Sequence, residues 1–134
     1  MTLSESYASG PSDKPLLGST IGKFFDYATG QYADREAVVS IHQQIRFTYS
    51  QLAEHVNTLA KAFISAGLQK GDRVGIWSPN NVQWLITQYA TAKAGLILVT
   101  INPAYRSHEL AYVLRQSGCK GLVLQNNFKS SNYE

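Results

Sequence analysis

The sequence predicts an α/β domain in which an N-terminal helix and a β-hairpin precede a β-α-β-α-β unit of a parallel sheet. Three observations carry that expectation. The run Leu96–Ile101 is almost unbroken apolar and rich in β-branched residues, too short for a globular helix and suited to a strand covered on both faces. Around it, strand-like and helix-like segments alternate through the second half of the chain. Each helix-like segment there closes on a glycine, Gly95 or Gly118, because a residue without Cβ enters the left-handed cap cheaply. Such alternation gives parallel strands joined by right-handed crossovers, with helices packed on the sheet.

Residues 1–15, with Ser4, Ser6, Ser9, Gly10, Pro11, Ser12 and Pro15, read as a flexible leader. Thr20 then caps a short helix whose inward face is Ile21, Phe24, Phe25 and Ala28. Glu36–Ile41 and Ile45–Thr48 form a hairpin around His42-Gln43-Gln44. Thr48-Tyr49-Ser50-Gln51 has capping-box spacing, and behind it Leu52, Val56, Leu59, Ala60 and Phe63 keep a helical period as far as Gly67. Gly71-Asp72 turns into the strand Arg73–Trp77. Ser78-Pro79-Asn80-Asn81 leads into a helix with Val82, Leu85, Ile86, Tyr89, Ala90 and Lys93 along one side, capped by Asn80 or Asn81. A strand feeding a helix N-terminus can bind phosphate, yet this turn lacks the glycines that let backbone approach a pyrophosphate. After Leu96–Ile101, the central strand of this pattern, Asn102-Pro103 ends the ladder, since proline has no N–H to donate. Ser107 caps a helix through Leu110, Val113 and Leu114, and Leu122–Leu124 is a further strand. In open α/β sheets ligands sit at the carboxyl ends of strands, which directs attention to the Asn102-Pro103 exit.

Composition narrows the function classes. A single cysteine in 134 residues rules out an internal disulfide and fits a reducing compartment. Cys119, beside a strand, reads as a small buried hydrophobe rather than a nucleophile. His42, His55 and His108 fall on a turn, a helix face and a helix start without partners at ligand spacing, so no metal site is expected. No apolar run is long enough to span a bilayer. The N-terminus shows neither a secretory nor a mitochondrial signal pattern, which makes a cytoplasmic location the default and a mitochondrial one the alternative. Net charge is +3, and residues 68–134 carry seven Lys/Arg against three Asp/Glu. That balance suits an anionic ligand such as a nucleotide, and equally a solvated surface. No basic cluster interleaves with aromatics, so nucleic acid is not an expected partner. The chain has no Walker loop, dinucleotide fingerprint, nucleophile elbow or paired-carboxylate arrangement.

In order, Phe47-Thr48-Tyr49-Ser50-Gln51-Leu52, Gly67-Leu68-Gln69-Lys70-Gly71-Asp72-Arg73-Val74, Ser78-Pro79-Asn80, Lys93-Ala94-Gly95 and Asn102-Pro103-Ala104-Tyr105 resemble the N-terminal portion of AMP-forming acyl-CoA synthetases. Pro15-Leu16-Leu17-Gly18, Asn102-Pro103-Ala104-Tyr105, Gly118-Cys119-Lys120 and Phe128-Lys129 look closest to the medium-chain fatty acyl-CoA synthetase branch. The resemblance covers about residues 15–134. It implies that residues 16–134 are an incomplete part of the N-terminal domain of an adenylate-forming enzyme, ending before the family's phosphate loop. Such enzymes use ATP and Mg²⁺ to convert a carboxylic acid to an acyl-adenylate and pyrophosphate, then pass the acyl group to the thiol of coenzyme A.

The groups that perform the first step are not among these residues, so whether the chain is itself an enzyme stays open. Alone it is expected to be inactive and to bind none of these cofactors tightly. The resemblance also implies that Pro103, Ala104 and Lys129 border the coenzyme A site of a complete enzyme; a turn proline and a solvated lysine are the plainer account of the same residues. Fatty acid and coenzyme A are the implied partners. A piece of sheet with bare edges is also expected to self-associate. The alternative is a non-catalytic α/β module that binds a nucleotide or a partner through its sheet edge, and a monodisperse, cooperatively unfolding chain would favour it.

Overall fold

The computed structural model describes residues 10–11, 13–128 and 131–132. Within them α1 (Ile21–Gln31), β1 (Glu36–Ser40), β2 (Ile45–Thr48) and α2 (Tyr49–Ser65) come first. They are followed by β3 (Arg73–Trp77), α3 (Val82–Ala94), β4 (Ile97–Ile101), α4 (Ser107–Ser117) and β5 (Cys119–Leu124). A short antiparallel pair, β6 (Asn127–Phe128) with β7 (Ser131–Asn132), comes last. Most of the expected leader, residues 1–9 and 12, lies outside the described residues; residues 10, 11 and 13–15 are exposed. β1 and β2 pair antiparallel, while β3, β4 and β5 form a parallel sheet in the order β4-β3-β5.

The centre of that sheet is not where the apolar run placed it. β3 is flanked on both sides, and Val74, Gly75, Ile76 and Trp77 are all buried. β4 is an edge strand among the described residues, with Ile97 49% exposed. Packing space, not hydropathy, decides this. A Cβ at Gly75 would stand 3.0 Å from Ile101 Cδ1 and 3.1 Å from Leu122 Cδ1. The side chains of both neighbouring strands therefore close over the middle of β3, which only glycine permits. On the alternate face Val74 and Val123 join the helical core.

α2 follows the expectation closely. Gln51 N–H donates to Thr48 Oγ1 at 3.3 Å and Thr48 N–H donates to Gln51 Oε1 at 2.9 Å, completing the capping box. Leu52, Val56, Ala60 and Phe63 are buried along its inner face. α3 differs from the one-sided helix expected, because it is packed by α2 and by α1. Its buried residues are Val82, Thr87, Ala90 and Thr91. Thr87 and Thr91 hydroxyls donate to the carbonyls of Gln83 and Thr87 at 2.8 and 2.9 Å, so neither buried oxygen is left unpaired.

α1 is rotated relative to the expected face: Gly22, Phe25 and Thr29 are buried, while Ile21 and Phe24 are 65% and 43% exposed. The cause is Gly22, where an added Cβ would lie 3.2 Å from Lys93 Cα. Close approach of α1 to α3 fixes the helix rotation, and Phe25 stacks on Tyr89 with ring centroids 4.4 Å apart. Asp26 pairs with Lys93 across the same contact. α4 starts at Ser107, the residue expected to cap it, so the cap falls one residue earlier. Arg106 is the N-cap, and its N–H donates to Glu109 Oε2 at 2.8 Å; the carboxylate at the third helical position satisfies the N–H of the cap residue and suits the positive end of the helix, in place of a serine cap at Ser107.

Candidate functional site

The carboxyl ends of β3, β4 and β5 share one end of the sheet, the place where open α/β sheets bind ligands. After β3, Asn81 resolves the choice of cap. It is extended at φ −151°, and its Oδ1 accepts from Trp84 N–H at 2.8 Å. The Nδ2 of the same side chain donates to Gln125 Oε1 at 2.8 Å and Ser78 Oγ at 3.1 Å. One amide therefore caps α3 and ties the exit of β3 to the exit of β5.

A second amide arrives from the hairpin turn. Gln43 Oε1 accepts from Val82 N–H at 2.9 Å and from Ser40 Oγ at 3.0 Å, and its Nε2 donates to Gln83 Oε1 at 2.8 Å. Two of the N–H groups at the start of α3 are thus satisfied by side chains. A phosphate would need those donors free. Gln43, Ser78, Asn81, Gln83, Trp84 and Gln125 line a cleft of about 460 Å³ that has no charged side chain among the described residues of its wall. Amides supply matched donors and acceptors, but they neither titrate near neutral pH nor act as nucleophiles. Ser78 Oγ donates to the Pro79 carbonyl at 3.0 Å. The described residues of the cleft order backbone.

The β4 exit is built by Asn102. Its Oδ1 accepts from Ala104 N–H at 2.9 Å, and its carbonyl accepts from Tyr105 N–H at 3.0 Å and from Trp77 Nε1–H at 3.2 Å. Pro103 is half-buried and Ala104 exposed in this turn. Those two expected site residues are together; Lys129 lies outside the described residues. Trp77 and Gln43 carry much of the geometry, and neither is among the expected site residues. A tryptophan ending a buried strand is a readable signal, because its N–H needs a partner. Nothing in the hairpin's own sequence announces Gln43.

Other candidates are dispersed. Cys119 is half-buried, with Sγ 3.1 Å from Ser117 Oγ. His55 packs its ring on Phe47 at 4.6 Å, and His42 Nδ1 lies 3.3 Å from Ser40 Oγ. Among the described residues no group of three His, Cys, Asp or Glu could hold a metal ion, and no helix is long and apolar enough to cross a membrane. Asp72, at the turn before β3, has its carboxyl held below the ordinary range, chiefly by its hydrogen bond to Lys120 and also by the N–H of Gln69.

An antiparallel hairpin and helices packed on a parallel β4-β3-β5 sheet match part of the N-terminal subdomain of adenylate-forming enzymes. The Klebsiella oxytoca NpsA N-terminal subdomain superposes with a TM-score of 0.74 at 26% identity, over 82% of this chain and 28% of that one. A Mycobacterium tuberculosis fatty acyl CoA synthetase gives 0.76 at 30% identity, over 78% of this chain and 21% of that one. Residues 25–133 match the AMP-binding enzyme family, and the chain belongs to it. The mitochondrial medium-chain acyl-CoA ligase ACSF2 of Mus musculus is 48% identical over 128 residues, which is 96% of this chain and 21% of the relative. The Homo sapiens ligase of the same name is 44% identical over 128 residues, with the same coverage. The chain therefore spans about a fifth of the length of these curated relatives.

Proposed function

We propose that this chain is the N-terminal supporting part, residues 16–134, of an ATP-dependent fatty acid–CoA ligase. In the complete enzyme a carboxylate and ATP give acyl-AMP and pyrophosphate, and the coenzyme A thiol then displaces AMP to give acyl-CoA. The observation that carries this proposal is 48% identity across 96% of the chain to a medium-chain acyl-CoA ligase. The relatives' names favour a medium-chain acid and a mitochondrial location over the cytoplasmic default.

The described residues do not fit ATP or Mg²⁺. Among the described residues the cleft wall has no carboxylate or cation, and two leading N–H groups of α3 are already used. These residues contribute the scaffold and one rim: Pro103, Ala104 and Lys129 border the coenzyme A site, where the small exposed Ala104 lets a ligand lie against the turn. On its own the chain self-associates through its sheet edges and the exposed Leu16, Leu17 and Ile21.

Two proteins test the proposal. The isolated chain, given a medium-chain fatty acid, ATP and Mg²⁺, should show no acid-dependent ATP–pyrophosphate exchange, since electrostatic stabilisation of the transferring group requires residues it lacks. A chimera of the Mus musculus ligase carrying residues 16–134 in place of its own equivalent segment should form acyl-CoA within about tenfold of the parent rate. Exchange by the isolated chain would overturn its supporting role. A folded chimera without acyl-CoA formation would overturn the assignment to a fatty acid–CoA ligase.

A further inference from the structure

Trp77 ends β3 and pairs in register with Ile101, which ends β4. Its side chain is only 5% exposed, yet its Nε1–H leaves the core to reach the carbonyl of Asn102, the first residue past β4, at 3.2 Å. Asn102 in turn holds the next two residues, through Ala104 N–H on Oδ1 at 2.9 Å and Tyr105 N–H on its carbonyl at 3.0 Å. Pro103 fixes its own φ and confines Asn102 to extended backbone. The turn is thus anchored from the neighbouring strand by one buried indole and closed locally by one exposed amide.

Resting on the proposal that this turn borders the coenzyme A site, we infer that Trp77 and Asn102 are positioning residues for coenzyme A. Neither needs to touch the thiol substrate. They set the Pro103-Ala104 backbone at the height against which it lies, so their loss should weaken coenzyme A binding and spare the acid-activating half of the reaction. A ligand site held only by a two-residue turn loses affinity when that turn is free to shift.

The chimera separates the two halves, because ATP–pyrophosphate exchange needs no coenzyme A. Trp77→Phe keeps the ring and removes the donor; the KM for coenzyme A should rise about threefold to tenfold, with exchange unchanged within about twofold. Asn102→Ala, at an exposed position where folding is not at stake, should do the same. Asn102→Ser should restore the KM to within about twofold, because a serine hydroxyl accepts the same turn N–H. Ala104→Trp, which places bulk on the turn itself, reports separately on whether coenzyme A lies there. If Ala104→Trp raises the KM while Trp77→Phe and Asn102→Ala do not, the positioning role is wrong and the coenzyme A rim stands. If Ala104→Trp leaves the KM unchanged, the turn does not border coenzyme A and the inference falls with it. A parallel loss of exchange and acyl transfer in both Trp77→Phe and Asn102→Ala would mark a purely structural role and overturn the inference.

Discussion

β3 and β4 are neighbouring parallel strands of five residues each, and by composition they are ranked the wrong way round. β4 reads Ile-Leu-Val-Thr-Ile, while β3 reads Arg-Val-Gly-Ile-Trp, with a charge and a glycine. Yet β3 is the buried centre and β4 the half-covered edge. An apolar run says that a strand can be buried; it does not say which strand the others close around. In this sheet the missing side chain at Gly75 decides, because Ile101 and Leu122 converge on the space it leaves. Arg73 meanwhile stays at the rim, where its Nε–H donates to the Ser117 carbonyl at the end of α4.

The sharpest way to break this comparison is to truncate the same residue type in both strands. Ile76 is 0% exposed and Ile97 is 49% exposed. Ile76→Ala should cost about 2–5 kcal/mol, as buried large-to-small changes do, enough to unfold a marginal domain. Ile97→Ala should cost less than about 1 kcal/mol, because much of that side chain already meets water. Urea titrations of both variants in the same background measure the difference. Equal costs would make β4 as central as its composition suggests.

The same contrast explains what was legible in the sequence. Local devices were readable: the Thr48–Gln51 box needs only four consecutive residues, and the Gly95 stop needs only one. Helix and strand identities followed from periodicity, and the Asn102-Pro103 exit from the missing proline N–H. Facts that depend on approach between distant segments were not readable. The rotation of α1 is set by Gly22 meeting Lys93, and the anchoring of α3 by Gln43 meeting Val82 across 39 residues. In the candidate site, the turn at Asn102-Pro103 is legible because turn chemistry is local, whereas a role for Pro103 and Ala104 comes only from the family resemblance. Trp77 is not legible there because its partner, Asn102, lies just past a different strand.

A smaller effect sharpens the boundary between α3 and β4. Gly95 holds φ +73°, and a Cβ there would lie 3.1 Å from Lys70 Cγ. The backbone conformation, not that flexible side chain, is the main obstacle. Gly95→Ala should cost about 1–2 kcal/mol and lower the thermal midpoint without changing which residues form β4. Gly118 at φ +64° performs the same stop before β5. A Gly95→Ala variant as stable as the parent would mean that the left-handed cap does not set where the edge strand begins.

The smallest effect lies at the turn that feeds β3. Asp72 Oδ2 accepts from Gln69 N–H at 2.9 Å, Asp72 Oδ1 lies 2.7 Å from Lys120 Nζ on β5, and the Asp72 carbonyl accepts from Ile97 N–H at 2.9 Å. One residue thus links the start of the central strand to both neighbours. Lys120 and the Gln69 N–H favour the ionised carboxylate, so its pKa in the folded chain is below the ordinary value. The contribution is therefore complete above the unfolded-state pKa, about 4, and disappears as pH falls through the lower folded value. Asp72→Asn should be less stable than the parent at neutral pH, with a gap that stays level down to about pH 5 and narrows below about pH 4. Because Lys120 is well exposed, added salt should shrink the gap at neutral pH by screening the pair. A gap unaffected by salt would take the Lys120 pair out of the role of Asp72, and the start of β3 would then be held to β5 without it.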